Sequence, residues 1–330
     1  MLCNGVFSGG GVRGIGHVGA ASVFEKKGYK FYRLAGTSAG AIVSALLAAG
    51  YTSGELYQIM KKVDYKCFCQ EKLLNKLGLI GDMLSLVVYY GIYHTDYFQE
   101  WIETLLKSKN VYTFSDLKIT EGVYKLQVTA CDVSSQRLLI FPQDSVLFGI
   151  KPDSMRVSEA VKMSMSIPLF YIPAILKDAK GKAHYIADGG LLSNYPVYLV
   201  DRYMDSPKIP TFGFKFINLD GIYTKSRNVV DNIVEYCKFT LETMLGAQDN
   251  IHISKSSGDF ERTVFTSVNI NVNGKIKTLG AANFDITAEE SEAMYQNGVI
   301  AANNFLKNWN FNEWKQKYRN CKLSLTNAGK

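Results

Sequence analysis

Ser38 stands at the centre of Gly36-Thr37-Ser38-Ala39-Gly40, a G-x-S-x-G pattern. A serine so flanked can sit on a sharp strand-to-helix turn with its hydroxyl exposed, the arrangement of a nucleophile elbow. The residues around it read that way. An apolar stretch, 30–36, leads in, and small apolar residues from Ala39 to Ala49 lead out. A serine at a helix N-terminus also lies where the helix dipole favours developing negative charge.

A second glycine cluster precedes it. Gly9-Gly10-Gly11-Val12-Arg13-Gly14 matches G-x-G-x-x-G, which a dinucleotide-binding protein would use to hold a pyrophosphate. That reading needs an acidic residue at the end of the second strand to bind a ribose hydroxyl. Residues 29–37 contain neither Asp nor Glu, and no Gly-Lys-Ser/Thr follows to make a phosphate loop. The alternative is that the backbone N–H groups of Gly9, Gly10 and Gly11 form an oxyanion hole for a tetrahedral intermediate on Ser38. One such donor is typically worth about 10²- to 10³-fold in rate. Arg13 stabilises this loop, meets an anionic head group, or is a plain surface or structural arginine.

A serine hydroxyl needs a base. The four histidines are His17, His94, His184 and His252. Chain order permits a Ser38, Asp188, His252 triad, but His252 lies among alternating apolar residues and reads as a packed or surface side chain. His17, inside the first helix, reads as a packing residue or loop anchor. Asp188 is the stronger candidate, because a short apolar strand delivers it into the Asp188-Gly189-Gly190 turn.

Strand–helix alternation positions these groups. Strands are expected at 2–7, 30–36, 123–131, 137–141, 184–187, 211–217 and 262–272. Helices are expected at 15–27, 39–49, 53–62, 96–107, 158–166, 228–246 and 287–307. The alternation implies an α/β sheet covered on both faces. Of the 330 residues, 47% are hydrophobic and 20% charged, an ordinary globular composition, and no linker or repeat divides the chain. A catalytic core over 1–220, with an apolar insertion at about 64–95, and C-terminal helices and strands over 221–330 packed on the same domain are expected.

The net charge of +7 suits an anionic partner such as a membrane surface. The basic residues are scattered, and nucleic acid is not expected. Cys3, Cys67, Cys69, Cys131, Cys237 and Cys321 lack paired metal spacing, so no metal is expected and free thiols in a reducing cytoplasm are the simplest reading. No leader-like N-terminus and no apolar run of about 18 residues is present. The apolar segment 79–93 (LIGDMLSLVVYYGIY) reads as a lid, an acyl-tunnel wall, a docking surface or a buried helix. Phe305, Trp309, Phe311, Trp314 and Tyr318, mixed with Lys307, Lys315, Lys317, Arg319 and Lys322, suit a lipid headgroup region or a solvated terminal helix that packs some of its aromatics.

Taken together, the glycine loop, Gly36–Gly40 and Asp188-Gly189-Gly190 resemble the patatin-like phospholipases, in family order over about residues 5–200. Val157–Pro168 and Leu192–Pro196 resemble further family segments, with Met163-Ser164 where Ala-Ser is common. The resemblance implies a three-layer α/β/α sandwich with a mainly parallel sheet. It implies a Ser38–Asp188 dyad without histidine that hydrolyses acyl esters of glycerophospholipids, lysophospholipids or other acyl glycerols. Neither calcium nor a cofactor is implied. The expected location is cytoplasmic, peripheral at the inner membrane face. A catalytically silent lipid-binding protein and a nucleotide-dependent oxidoreductase are the rival readings.

Overall fold

A computed structural model describes residues 1–71, 79–201, 207–218 and 258–319. Five parallel strands form its spine: β1 (Leu2–Phe7), β2 (Lys30–Gly36), β3 (Leu126–Asp132), β7 (Thr211–Ile217) and β8 (Thr263–Ser267), in the order β3-β2-β1-β7-β8. Three antiparallel strands complete the sheet. β4 (Arg137–Phe141) and β6 (Ala183–Asp188) pair with β3, and β5 (Ala174–Lys177) pairs with β6. The fold is α/β with a mainly parallel sheet.

Continuous apolar runs explain the central strands. Every residue of β3 is buried, as is all of β1 after its first residue, which is the pattern of strands covered on both faces. Alternate side chains divide between two cores. Phe7 and Leu34 face a large core filled by helices α1 (Gly14–Lys26), α2 (Ala39–Ala48), α3 (Ser53–Lys61), α5 (Asp96–Ser108) and α6 (Val157–Met165). Val6 and Ala35 face a smaller one with Tyr195, Val197 and Val200.

Beyond residue 220, β8 extends the same sheet. Helix α7 (Ala288–Lys307), begun by a Thr287/Glu290 capping box, crosses α1 so closely that a Cβ on Gly298 would strike the Gly16 carbonyl. The expected helix at 228–246, His252, Cys237, Cys321 and Lys322 lie outside the described residues.

Two expected strands are corrected. The run 262–272 splits into β8 and Asn269–Val272, which folds back on Lys275–Thr278 through Asn273 and Gly274, both at positive φ. The run 123–131 splits into Val123–Tyr124 and β3. Strands Leu169–Tyr171 and β5 were not anticipated, because Pro168 and Pro173 break their pattern.

Phe305, Trp309 and Trp314 pack against the protein on a largely solvated terminal segment, which is the second of the two readings. Phe305 lies against Phe24 and Phe212, and Trp309 against Phe212. In helix α8 (Phe311–Arg319), Trp314 is 5% exposed and donates its indole N–H to the Gly258 carbonyl at 2.7 Å.

Candidate active site

Strand β3 brings the two candidate reacting residues together. Along one edge of β3, β2 runs parallel until Gly36 stands opposite Val128, while β6 arrives antiparallel until Asp188 stands opposite Ala130. The two strands therefore end head to head, two β3 residues apart, about 7 Å along the strand. Ser38 follows the end of one and Asp188 ends the other. The Ser38 hydroxyl lies near enough to the Asp188 carboxyl to favour its charged form. Both residues are buried, Ser38 at 6% exposed and Asp188 at 2%.

Ser38 caps α2 with φ 53° and ψ −123°, a conformation that costs a non-glycine residue about 1–3 kcal/mol. Its surroundings hold it there. The Ser38 N–H donates to Ser164 Oγ at 2.9 Å, and the Ser38 carbonyl accepts the Ala41 N–H at 2.8 Å. Thr37 Oγ1 donates to the Ser193 carbonyl at 2.9 Å, which leaves Thr129 Oγ1 to donate to Thr37 at 2.6 Å. Gly40 permits the close crossing of α2 over β1, since a Cβ there would collide with the Phe7 carbonyl. Gly36 lies directly beneath, against the Gly40 carbonyl, and Gly14 brings the start of α1 against Ala39.

Asp188 is fixed as firmly. Its N–H donates to the Ser166 carbonyl at 2.8 Å, and its Oδ1 accepts the Gly190 N–H at 2.7 Å. Gly189 rests on the Thr129 backbone. Burial pushes the carboxyl up to about 6, against the lowering effect of the Gly190 N–H and the Ser38 hydroxyl. A carboxylate in that range can accept and return a proton near neutral pH.

The C-terminal end of α6 thus holds both residues, through Ser164 Oγ and the Ser166 carbonyl, and Thr129 sits beneath both motifs. Sequence reasoning assigned none of these roles. Ser164 carried a weak signal, lying in a segment already matched to the family. Thr129 carried none, because its contacts depend on strand register.

The glycine loop leaves β1 where the connections reverse direction, from β1–β2–β3 on one side to β7–β8 on the other. Such switch points are where open α/β sheets bind ligands. Gly9 departs from expectation as a donor: its N–H already bonds the Asn194 carbonyl at 3.0 Å. The N–H groups of Gly10 and Gly11 have no partner among the described residues. Gly11 has φ +56°, and a Cβ on it would collide with the Ala281 carbonyl. Arg13 takes the loop-stabilising alternative, with its Nε–H on the Gly10 carbonyl at 2.9 Å and its guanidinium 5.4 Å from the Phe216 ring centre.

The described histidines serve other contacts. His17 is fully buried and donates Nε2–H to the Ser8 carbonyl at 2.9 Å, with its ring stacked on Phe216, so it both packs and anchors the loop. Burial holds it near pKa 3, so it stays neutral. His184 Nδ1 pairs with Asp132 at 2.7 Å, and His94 Nδ1 with Asp96 at 3.4 Å.

Fold and site together define a three-layer α/β protein with a serine on a strand–turn–helix elbow, a carboxyl partner and a glycine loop at the topological switch point. The family described as patatin-like phospholipase matches residues 5–201, and the chain belongs to it. It is similar to the uncharacterized protein YqhO of Bacillus subtilis, 35% identical over 316 residues, covering 94% of this chain and 100% of YqhO. It is also similar to the probable lipid hydrolase 463L of invertebrate iridescent virus 6, 26% identical over 205 residues, covering 60% of this chain and 63% of that protein. The crystal structure of VipD from Legionella pneumophila shares the fold at TM-score 0.50 and 16% identity, covering 93% of this chain and 66% of that one.

Proposed function

We propose that the chain is a calcium-independent lipid acyl hydrolase of the phospholipase A type. Ser38 is its nucleophile and Asp188 its only base. The observation that carries this reading is the end-to-end meeting of β2 and β6 on β3, which sets the Ser38 hydroxyl beside a buried Asp188 carboxyl raised to about 6. Family membership and a probable lipid hydrolase among the relatives support the substrate class.

In the first half-reaction Ser38 Oγ attacks the ester carbonyl carbon while its proton passes to Asp188. The Gly10 and Gly11 N–H groups stabilise the resulting oxyanion. The intermediate collapses, the C–O bond to the glycerol side breaks, and the leaving oxygen takes the proton from Asp188. Water then gives a proton to Asp188 as it attacks the acyl-enzyme. The fatty acid departs as Ser38 recovers its hydrogen.

The test measures fatty-acid release from a phospholipid panel by mass spectrometry, with a chelator present, for wild type, Ser38→Ala and Asp188→Asn. Each variant is expected to lose at least about 10³-fold in kcat. Asp188→Asn turnover at the wild-type rate refutes the dyad, and a comparable loss in His252→Ala replaces it with a triad.

A further inference from the structure

Helix α4 (Leu79–Tyr89) turns its apolar side outward. Met83, Leu84, Val87 and Val88, at i, i+1, i+4 and i+5, share one face and are all exposed, Met83 at 56% and Val87 at 74%. On the opposite face Ser85 is fully buried. An ordinary surface helix shows the reverse pattern. This observation removes the buried-helix reading of 79–93.

The apolar surface continues beyond the helix. Tyr90 is exposed, and its ring meets Tyr185 of β6 at 5.3 Å. Tyr185 stands opposite the exposed Ile175 of β5, and the strand Gly91–His94 pairs with the exposed Leu169. The surface shares elements with the site: Tyr185 lies on β6 three residues, about 10 Å, before Asp188, and Leu169 follows Ser166 by three. At the turn end of the β5–β6 hairpin Lys177, Lys180 and Lys182 are exposed. The one acid there, Asp178, is occupied internally, accepting the Lys180 and Lys182 N–H groups at 2.8 Å and lying 3.6 Å from His184 Nε2.

We propose that α4 and the β5–β6 hairpin dock the protein on an anionic phospholipid bilayer, placing the Ser38–Asp188 edge beside the lipid it consumes. This inference rests on the hydrolase reading. An apolar helix face flanked by exposed lysines matches a membrane whose headgroups are negative and whose acyl boundary lies just beneath. The helix lies on the membrane, because its 11 residues fall well short of the roughly 20 needed to span one. Among the described residues no helix is long and apolar enough to cross a membrane.

Co-flotation with phosphatidylcholine vesicles, with and without phosphatidylglycerol, tests the proposal in a Ser38→Ala background that prevents turnover. Wild-type surface residues are expected to float with vesicles, more strongly when phosphatidylglycerol is present. The double variant Met83→Asp/Val87→Asp should weaken partitioning at least about 30-fold, since each burial contributes roughly tenfold. Lys177→Gln/Lys180→Gln/Lys182→Gln should abolish most of the phosphatidylglycerol effect, and Leu2→Asp, at the N-terminal end of the central strand β1, should change nothing. The same α4 variant on active Ser38 should retain wild-type hydrolysis of a short soluble ester.

Unchanged flotation of the α4 variant overturns the proposal. So does a wild-type dimer in size-exclusion chromatography that the variant converts to monomer, which makes a second copy the occupant. Vesicle binding by a wild-type protein that hydrolyses no ester refutes the hydrolase reading and leaves the docking surface standing.

Discussion

The edge of the sheet that carries Ser38 and the outer face of α4 solve opposite problems. At the edge, Ser38 and Asp188 are nearly closed off, and the Ser38 N–H, the Asp188 N–H and the Asp188 carboxyl are held by Ser164, Ser166 and Gly190. On α4, four apolar side chains face solvent with no such partner among the described residues. The first arrangement holds a strained geometry in place, which chemistry on a positioned nucleophile requires. The second leaves its binding energy unspent in water. Substitutions at the edge should therefore damage turnover on every substrate, dissolved or aggregated. Substitutions on α4 should matter only when lipid is presented as a surface.

The largest effect short of removing the dyad itself is expected at Ser164. Ser164→Ala takes the acceptor from the Ser38 N–H, leaving a buried donor unpaired at a cost of about 1–3 kcal/mol. That cost falls on the φ 53° conformation that aims the hydroxyl. We expect kcat to fall about 30-fold with KM unchanged, equally on a soluble ester and on vesicles. A vesicle-only loss would place Ser164 with the docking surface and break the contrast.

A smaller effect should follow from pH. With Asp188 near 6 and active as the carboxylate, kcat/KM on a soluble ester should fall about tenfold from pH 7 to pH 5. Stability should move the other way. Between the unfolded carboxyl value near 3.8 and about 6, the folded state holds a proton that the unfolded chain has released. Folding is therefore weakened as pH rises through that window. Asp188→Asn removes this penalty and should stabilise the protein at pH 7 by up to about 3 kcal/mol, read by denaturant titration. A flat rate profile between pH 5 and 7 would deny Asp188 the role of base.

The two regions also differ in how far the sequence discloses them. The elbow and the Asp188 turn are legible because their demands are local. Glycines around Ser38 and after Asp188 mark backbone that must pass close to other backbone, and no distant residue is needed to see it. What holds them is not local. Ser164 and Thr129 are ordinary residues made important by the end of α6 and by the register of β3. The apolar character of 79–93 was equally plain, but the direction in which it faces was not. Orientation depends on what the rest of the chain packs against, and Ser85, rather than Met83, Leu84, Val87 or Val88, lies against the protein.

The C-terminal aromatic residues sharpen that last point, because their mixture with lysine and arginine also suits a lipid headgroup region. Trp314 lies against Gly258 on one side and the guanidiniums of Arg262 and Arg319 on others, at 5.3 and 4.6 Å from its ring centre. Truncating such a side chain typically costs about 3–5 kcal/mol. Trp314→Ala should therefore lower the unfolding midpoint while leaving vesicle partitioning of the folded protein within about twofold of wild type. Flotation and denaturation on the same sample check both halves. A Trp314 variant that keeps its stability but detaches from vesicles would move the docking surface to the C-terminal helix, since truncating a core tryptophan cannot spare the fold and a surface one need not disturb it.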